Sequence, residues 1–380
     1  MIEKIAVAVD SFKGSLSSRE VADAFEVGVR RVLPHCEVRK VSVADGGEGT
    51  VDALVEMLDG EYVTPTVADP LMRPIKARYG IVDGGRMAVM EMSAASGLPL
   101  LSPEERNPLK TSTYGTGEMI ADALMRGCRK FLVGIGGSAT NDAGVGMLRA
   151  LGFRFLDSEG LELIGGGEIL ERIETIDDSA VMEELCEATF TVACDVTNPL
   201  YGPRGAAYVF APQKGADEAM VERLDGGLKN FAEAVKRYNG EDISALPGAG
   251  AAGGLGGGFK ALLGARLERG VEMVLGAIHF DDIVAGCDLV ITGEGRLDAQ
   301  TVMGKTPSGV LRAAQRHNIP CVAIGGAVAQ CDELSESGFA AILPIVSGPM
   351  PLEQAMQREV AVANVERTAE QIVKLLNLNI

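Results

Sequence analysis

Histidine is scarce in this chain: His35, His279 and His317 are the only three in 380 residues, and none stands at zinc-site spacing from another. That argues against zinc chemistry and against a histidine-driven triad, and no G-x-S-x-G elbow is present either. Basic residues are outnumbered, 35 Lys and Arg against 53 Asp and Glu, so the net charge is −18. Nucleic acid and anionic membrane are disfavoured as main partners, because such a chain repels polyanions. No run reaches the roughly 18 apolar residues of a membrane span. The opening "MIEKIAVAVD" is a charged lead into a strand without the shape of a signal peptide. Seven cysteines are scattered with no C-x-x-C pair, as expected for reduced thiols in the cytoplasm.

Apolar sequence, by contrast, is plentiful. At 47% hydrophobic over 380 residues the chain can bury a large core and is long enough for two domains. "KIAVAVD" reads as a buried strand, and "SLSSREVADAFEVGVRRVL" as a helix opened by the capping box Ser17-x-x-Glu20. "VRKVSVAD" and "GTVDALVEML" repeat the strand-then-helix pattern, and "ARYGIVDGGRMAVMEM" is a hairpin turning at Asp83-Gly84-Gly85. The runs "KFLVGIGG", "FTVACDV", "AAYVFAP", "DLVITGEG", "IPCVAIGG" and "AAILPIVSG" read as further strands, most followed by a helix. Continuous apolar strands alternating with helices predict a parallel sheet covered on both faces, and the hairpin predicts a mixed sheet in a second region.

Polar residues gather where these strands end, which is where open α/β sheets bind ligands. Asp10, Ser11 and Lys13 follow the first strand; Asp45 and Glu48 follow the second; Glu91, Ser93 and Ser96 follow the hairpin. "GIGGSATNDAG" brings Ser138, Thr140, Asn141 and Asp142, and "CDVTNPLYG" brings Asp195 and Asn198. Glu294, Arg296 and Asp298 complete the set, with Lys305 and Thr306 close behind. One such loop is explained as an ordinary turn or cap. So many in one chain suit phosphoryl transfer, which asks for Mg²⁺ held by carboxylates, donors on the phosphates and a carboxylate to accept a hydroxyl proton. Glycine-rich turns let backbone N–H groups reach phosphate oxygens, with Lys13 or Lys305 adding charge.

Near misses qualify the picture. "AQTVMGKT" falls one residue short of a P-loop, because Ala299 stands where the first glycine belongs. In "GKTPSG", Thr306 fits a helix N-cap and Pro307 the first helical position, and such a terminus is itself an anion site. "GAGAAG" matches a dinucleotide fingerprint but lacks a strand before it, and reads as a flexible or ligand-facing glycine loop. The 134–139 turn, "GIGGSA", is the better fingerprint: a strand precedes it, a helix follows, and Asp157 ends a β-like run about twenty residues on. An NAD-dependent dehydrogenase built on that turn is one alternative; a non-catalytic metabolite-binding protein is another.

The motifs "AVDSFKGSLSS", "ADGGEGT", "EMSAASGL", "GGSATNDAG", "CDVTNPLYGPRGAAYVFAPQKGA" and "ITGEGRLDAQTVMGKTPSGV" together resemble the type I glycerate kinases, from Asp10 to beyond Gly326 and in the same order. The resemblance implies ATP- and Mg²⁺-dependent phosphorylation of D-glycerate to 2-phosphoglycerate. It implies an α/β fold of two domains, a flavodoxin-like parallel-sheet domain (1–75 with 285–380) and an inserted mixed-sheet domain resembling restriction endonucleases (76–284), with the reaction in a cleft between them. In that frame the candidate catalytic residues are Asp195, Lys13 and Asp298. Substrate and nucleotide would be bound by Asp10, Ser11, Ser93, Ser138, Thr140, Asn141, Asn198, Arg296, Lys305 and Thr306, and metal by Asp45, Glu48, Asp142 and Glu294. The partners expected are small molecules, D-glycerate and ATP; assembly into a homo-oligomer stays open.

Overall fold

The opening apolar run forms the strand Lys4–Val9, in which Ile5 to Val9 are wholly buried. A strand buried on both faces belongs in the middle of a parallel sheet. In the computed structural model, which describes residues 2–377, it sits between Glu37–Ser42 and Leu289–Leu297. Cys321–Val328 and the edge strand Ala341–Pro344 extend the sheet, and all five strands are parallel. Counted along the chain the spatial order is 2-1-3-4-5, the flavodoxin-type order with its switch point between the first and third strands.

The helix Ser18–Arg30 opens with the expected capping box: Ser17 accepts from the Glu20 N–H, and Glu20 reaches back to the Ser17 N–H. Its buried face packs on the helix Arg358–Leu376. The approach is so close that a Cβ on Gly28 would stand 2.2 Å from the Glu366 carbonyl oxygen.

These elements form one compact unit, Met1–Asp45 with Val274–Ile380, and Gly46–Met273 forms the other. The division falls at 45 and 273 rather than at the expected 75 and 284. The reason is pairing: Glu61–Val63, assigned from sequence to the first domain, bonds to Tyr79–Val82 in the second unit's sheet. That sheet has six strands, in the order Arg266–Glu268, Thr189–Ala193, Lys130–Gly134, Met87–Glu91, Tyr79–Val82, Glu61–Val63. Its first four strands run parallel, and the expected hairpin makes it mixed. Among the described residues no helix is long and apolar enough to cross a membrane.

Three local expectations are corrected. "AAYVFAP" is no strand but the short helix Ala206–Phe210. Its two alanines are buried while Tyr208 and Val209 are exposed, a one-sided pattern that a short apolar run does not reveal in advance. "GAGAAG" is no flexible loop either; it enters the helix Ala251–Leu263 through left-handed backbone at Ala252, Gly253 and Gly254. A Cβ on Gly253 would meet the Thr140 carbonyl oxygen at 2.1 Å, so glycine there answers close packing. Finally, Asp157 does follow a strand, Arg154–Leu156, but that strand is not in the sheet that carries the 134–139 turn. Arg154–Leu156 pairs with Thr175–Asp177 in a separate two-stranded ribbon, and the Asp157 carboxylate accepts from the Glu159 and Leu161 N–H groups and pairs with Arg172. The context that a ribose-binding acid requires is missing.

Candidate active site

In the first unit the chain turns sharply after the opening strand, with the Asp10 N–H still bonded to the Gly293 carbonyl. Asp10, Ser11, Lys13, Asp45, Glu294, Arg296 and Lys305 all line one cavity of about 330 Å³ at the carboxyl ends of the parallel strands. Seven candidates drawn from distant parts of the sequence thus meet in one place. The Asp10 carboxylate accepts from the Ser11 N–H at 2.6 Å and the Thr306 hydroxyl at 3.2 Å. Burial and the charge of Asp45 nevertheless push its carboxyl above the usual range. Glu294 is raised as well, chiefly by burial, and is steadied by the Thr301 hydroxyl at 2.6 Å and the Lys305 ammonium at 3.6 Å.

Glu294 and Arg296 lie within the strand Leu289–Leu297, paired with Gly325 and Ala327 of the next strand. Asp298 lies just beyond, 3.6 Å from Arg296, its carboxylate accepting from the Gln300 N–H; it does not line the cavity. The helix N-cap is Lys305 rather than Thr306, which together with Pro307 occupies the first turn. The Thr306 hydroxyl is therefore free of capping and donates to Asp10 instead.

In the second unit the 134–142 turn is held from within. Lys214, 1% exposed, donates to the Ser138 hydroxyl at 2.7 Å and the Thr140 carbonyl at 2.6 Å. Burial lowers its ammonium to about 7, against the opposing pull of Asp142. Asn141 is fully buried with both carboxamide atoms lacking a partner in the chain, as is the Thr140 hydroxyl. Asp142, expected to face a metal, is fully buried and accepts from the Thr113, Gly144 and Gly146 N–H groups and the Thr113 hydroxyl. That shell uses both carboxylate oxygens in shaping the turn, a structural duty.

Several of the remaining candidates stand near this turn at the carboxyl ends of the unit's parallel strands, where Glu91, Gly134 and Ala193 lie in register, Gly46 packs on Ala193 and Gly270, and Ser93 approaches Gly137. Asp195, a candidate catalytic residue, is exposed, and its carboxylate accepts from the Gly270 N–H that opens the helix Gly270–Ala277. Asn198 donates to the Arg204 carbonyl and lines a second cavity with Tyr201 and Arg204. Glu48 is exposed ahead of the helix Thr50–Met57, and Ser93 is half-buried in the first turn of the helix Ser93–Ser96. Lys214 and Thr301 were not anticipated. Lys214 falls inside a quoted motif, yet no spacing marks it, because burial of a lysine leaves no local trace.

Among the described residues, no group of three or more His, Cys, Asp or Glu is arranged to hold a metal ion. Mg²⁺ asks for less, one or two carboxylates completed by phosphate oxygens. Asp10 and Asp45 suit that demand, since they share a cavity and the repulsion between them is what a cation relieves.

The model of the Glycerate kinase family matches residues 5–377. The chain belongs to that family. It is 46% identical to a glycerate kinase of Bacillus subtilis (strain 168) across 99% of this chain and 98% of that one. It is 43% identical to the glycerate 2-kinase of Escherichia coli (strain K12) across 93% of each. A solved structure, a putative glycerate kinase 2 from Salmonella typhimurium LT2, superposes with a TM-score of 0.90 at 44% identity, covering 99% of this chain and 98% of that one. For a member of the glycerate kinase family, the clustering of Asp10, Lys13, Asp45, Glu294 and Lys305 marks the first-unit cavity as the principal candidate site.

Proposed function

We propose that the protein transfers the γ-phosphoryl group of ATP to D-glycerate, giving 2-phospho-D-glycerate. The observation that carries the reading is the family match over nearly the whole chain, joined by a cavity whose charged residues suit phosphoryl transfer. Position 2 is favoured over position 3 by the name of the Escherichia coli relative.

In this reading Asp10 and Asp45 would hold Mg²⁺, with Glu294 beside them. The bound ion supplies neutralisation of phosphate charge. Lys13 and Lys305 act as point charges on anionic groups, and Arg296 offers a planar fork to a carboxylate or phosphate. Thr306 keeps the Asp10 carboxylate oriented. Asp195 and Asp298 are the candidates to accept the hydroxyl proton. The dehydrogenase alternative has nothing to favour it, because Asp157 is committed to its own turn and to Arg172. The free cysteines fit a reducing, cytoplasmic setting.

The test is phosphorus NMR of a mixture of purified protein, D-glycerate, ATP and Mg²⁺. The expected product is 2-phosphoglycerate with ADP. Finding 3-phosphoglycerate alone overturns the regiochemistry, and finding no ADP release with D-glycerate overturns the kinase.

A further inference from the structure

The first-unit cavity has two unlike halves. Its charged half is built from Asp10, Lys13, Asp45, Glu294, Arg296 and Lys305. The other half is apolar, with Phe12, Ile345, Val346, Leu352, Ala355 and Met356. Leu352 is 74% exposed and Met356 is 36% exposed, so large apolar side chains face solvent beside a cluster of charges. Leu352 opens the short helix Leu352–Ala355 and Met356 follows its end, folding back so that its methyl would lie 2.9 Å from a Cβ on Gly14. The apolar wall is thereby set against the loop that carries Asp10 and Lys13.

D-Glycerate is a three-carbon hydroxy acid with no apolar surface to cover such a wall. A purine ring has two apolar faces, and it is tied to a triphosphate that needs the charged half. The topology agrees: the wall residues Ile345 and Val346 follow the edge strand Ala341–Pro344, and the charged loop follows Lys4–Val9 at the switch point of a 2-1-3-4-5 sheet. We infer that the apolar half, with Leu352 and Met356 at its rim, holds the base of the nucleotide, and that the phosphates run from there toward Lys13 and Lys305. The inference rests on the kinase reading and adds where the nucleotide lies. None of the six wall side chains carries a hydrogen-bonding group beyond the Met356 thioether, a weak acceptor. Recognition there is by shape and apolar contact, so ATP and GTP bind within about tenfold of each other.

The test is calorimetric binding of ATP, GTP and inorganic tripolyphosphate to the parent protein and to Leu352→Ser and Met356→Ser, with melting curves to verify folding. An ADP-release assay with D-glycerate runs alongside. Each variant should weaken ATP binding by about five- to tenfold, as loss of apolar burial demands. Tripolyphosphate affinity and the KM for D-glycerate should stay within about twofold, since neither ligand touches the wall. ATP binding that is unchanged in both variants, or absent from the parent, overturns the inference. So does a loss shared equally by tripolyphosphate, or a rise confined to the KM for D-glycerate. Intact ATP binding without ADP release refutes the kinase reading and leaves the base site standing, so the two failures are distinguishable.

Discussion

At the scale of single residues, burial decides what each ionisable group can do. Lys214 is the clearest case, with a folded value of about 7 against an ordinary 10.5. Between those values the unfolded chain holds the proton and the folded chain does not. Stability therefore rises with pH across that window, and the cost of the buried charge is fully felt below it. Lys214→Met removes the titration. The difference in unfolding free energy, parent minus variant, should become more favourable to the parent from about pH 6 to about pH 9 in urea titrations. A difference independent of pH overturns the assignment. Asp195 poses another question, because its carboxylate already serves the Gly270 N–H. Asp195→Asn keeps an acceptor for that bond, so the melting temperature should be parental while kcat falls by roughly 10²-fold. Near-normal kcat with a lowered melting temperature removes Asp195 from the catalytic set. Lys13 is exposed, and its charge acts on Asp10, opposing the rise that burial causes there. Lys13→Ala should raise KM by about tenfold with a smaller change in kcat, as expected for a point charge that holds ground and transition states alike.

At the scale of elements, caps and strand ends carry the weight. Ser17 satisfies the first turn of Ser18–Arg30, and Glu20 is pinned in turn by Arg358 at 2.5 Å. Ser17→Ala should cost about 1 kcal/mol of stability, read from urea midpoints, without altering kcat. The helix Thr306–Arg316 shows how a one-residue shift alters function. With Lys305 at the N-cap, Thr306 turns its hydroxyl to Asp10 and links the helix to the opening strand. Thr306→Val keeps the shape and removes the donor. A loss of about 1 kcal/mol is expected, together with a weaker ATP interaction because Asp10 loses its orientation.

At the scale of the molecule, net charge dominates. At −18 the folded chain repels itself, and the repulsion is screened as salt is added. The melting temperature should rise by a few degrees between low and physiological ionic strength. A fall would mean that the surface ion pairs, such as Arg316–Asp281, outweigh the net field.

The sequence by itself determined the elements whose causes are local. Strand and helix alternation, the Ser17 capping box and the Asp83–Gly85 turn follow from periodicity and turn chemistry over a few residues, and all three are present. The crowding of polar residues at strand ends was legible for the same reason. Tertiary structure alone decided which ends converge. Asp10 meets Glu294 and Lys305 because Lys4–Val9 pairs with Leu289–Leu297, a partnership set by competition among every strand in the chain. It also decided that Asp142 is sealed in the interior while Asp195 stays in water, though both follow apolar runs. Desolvation is a property of surroundings contributed by distant segments, so no window of sequence carries it. The lowered Lys214 and the raised Asp10 both arise there.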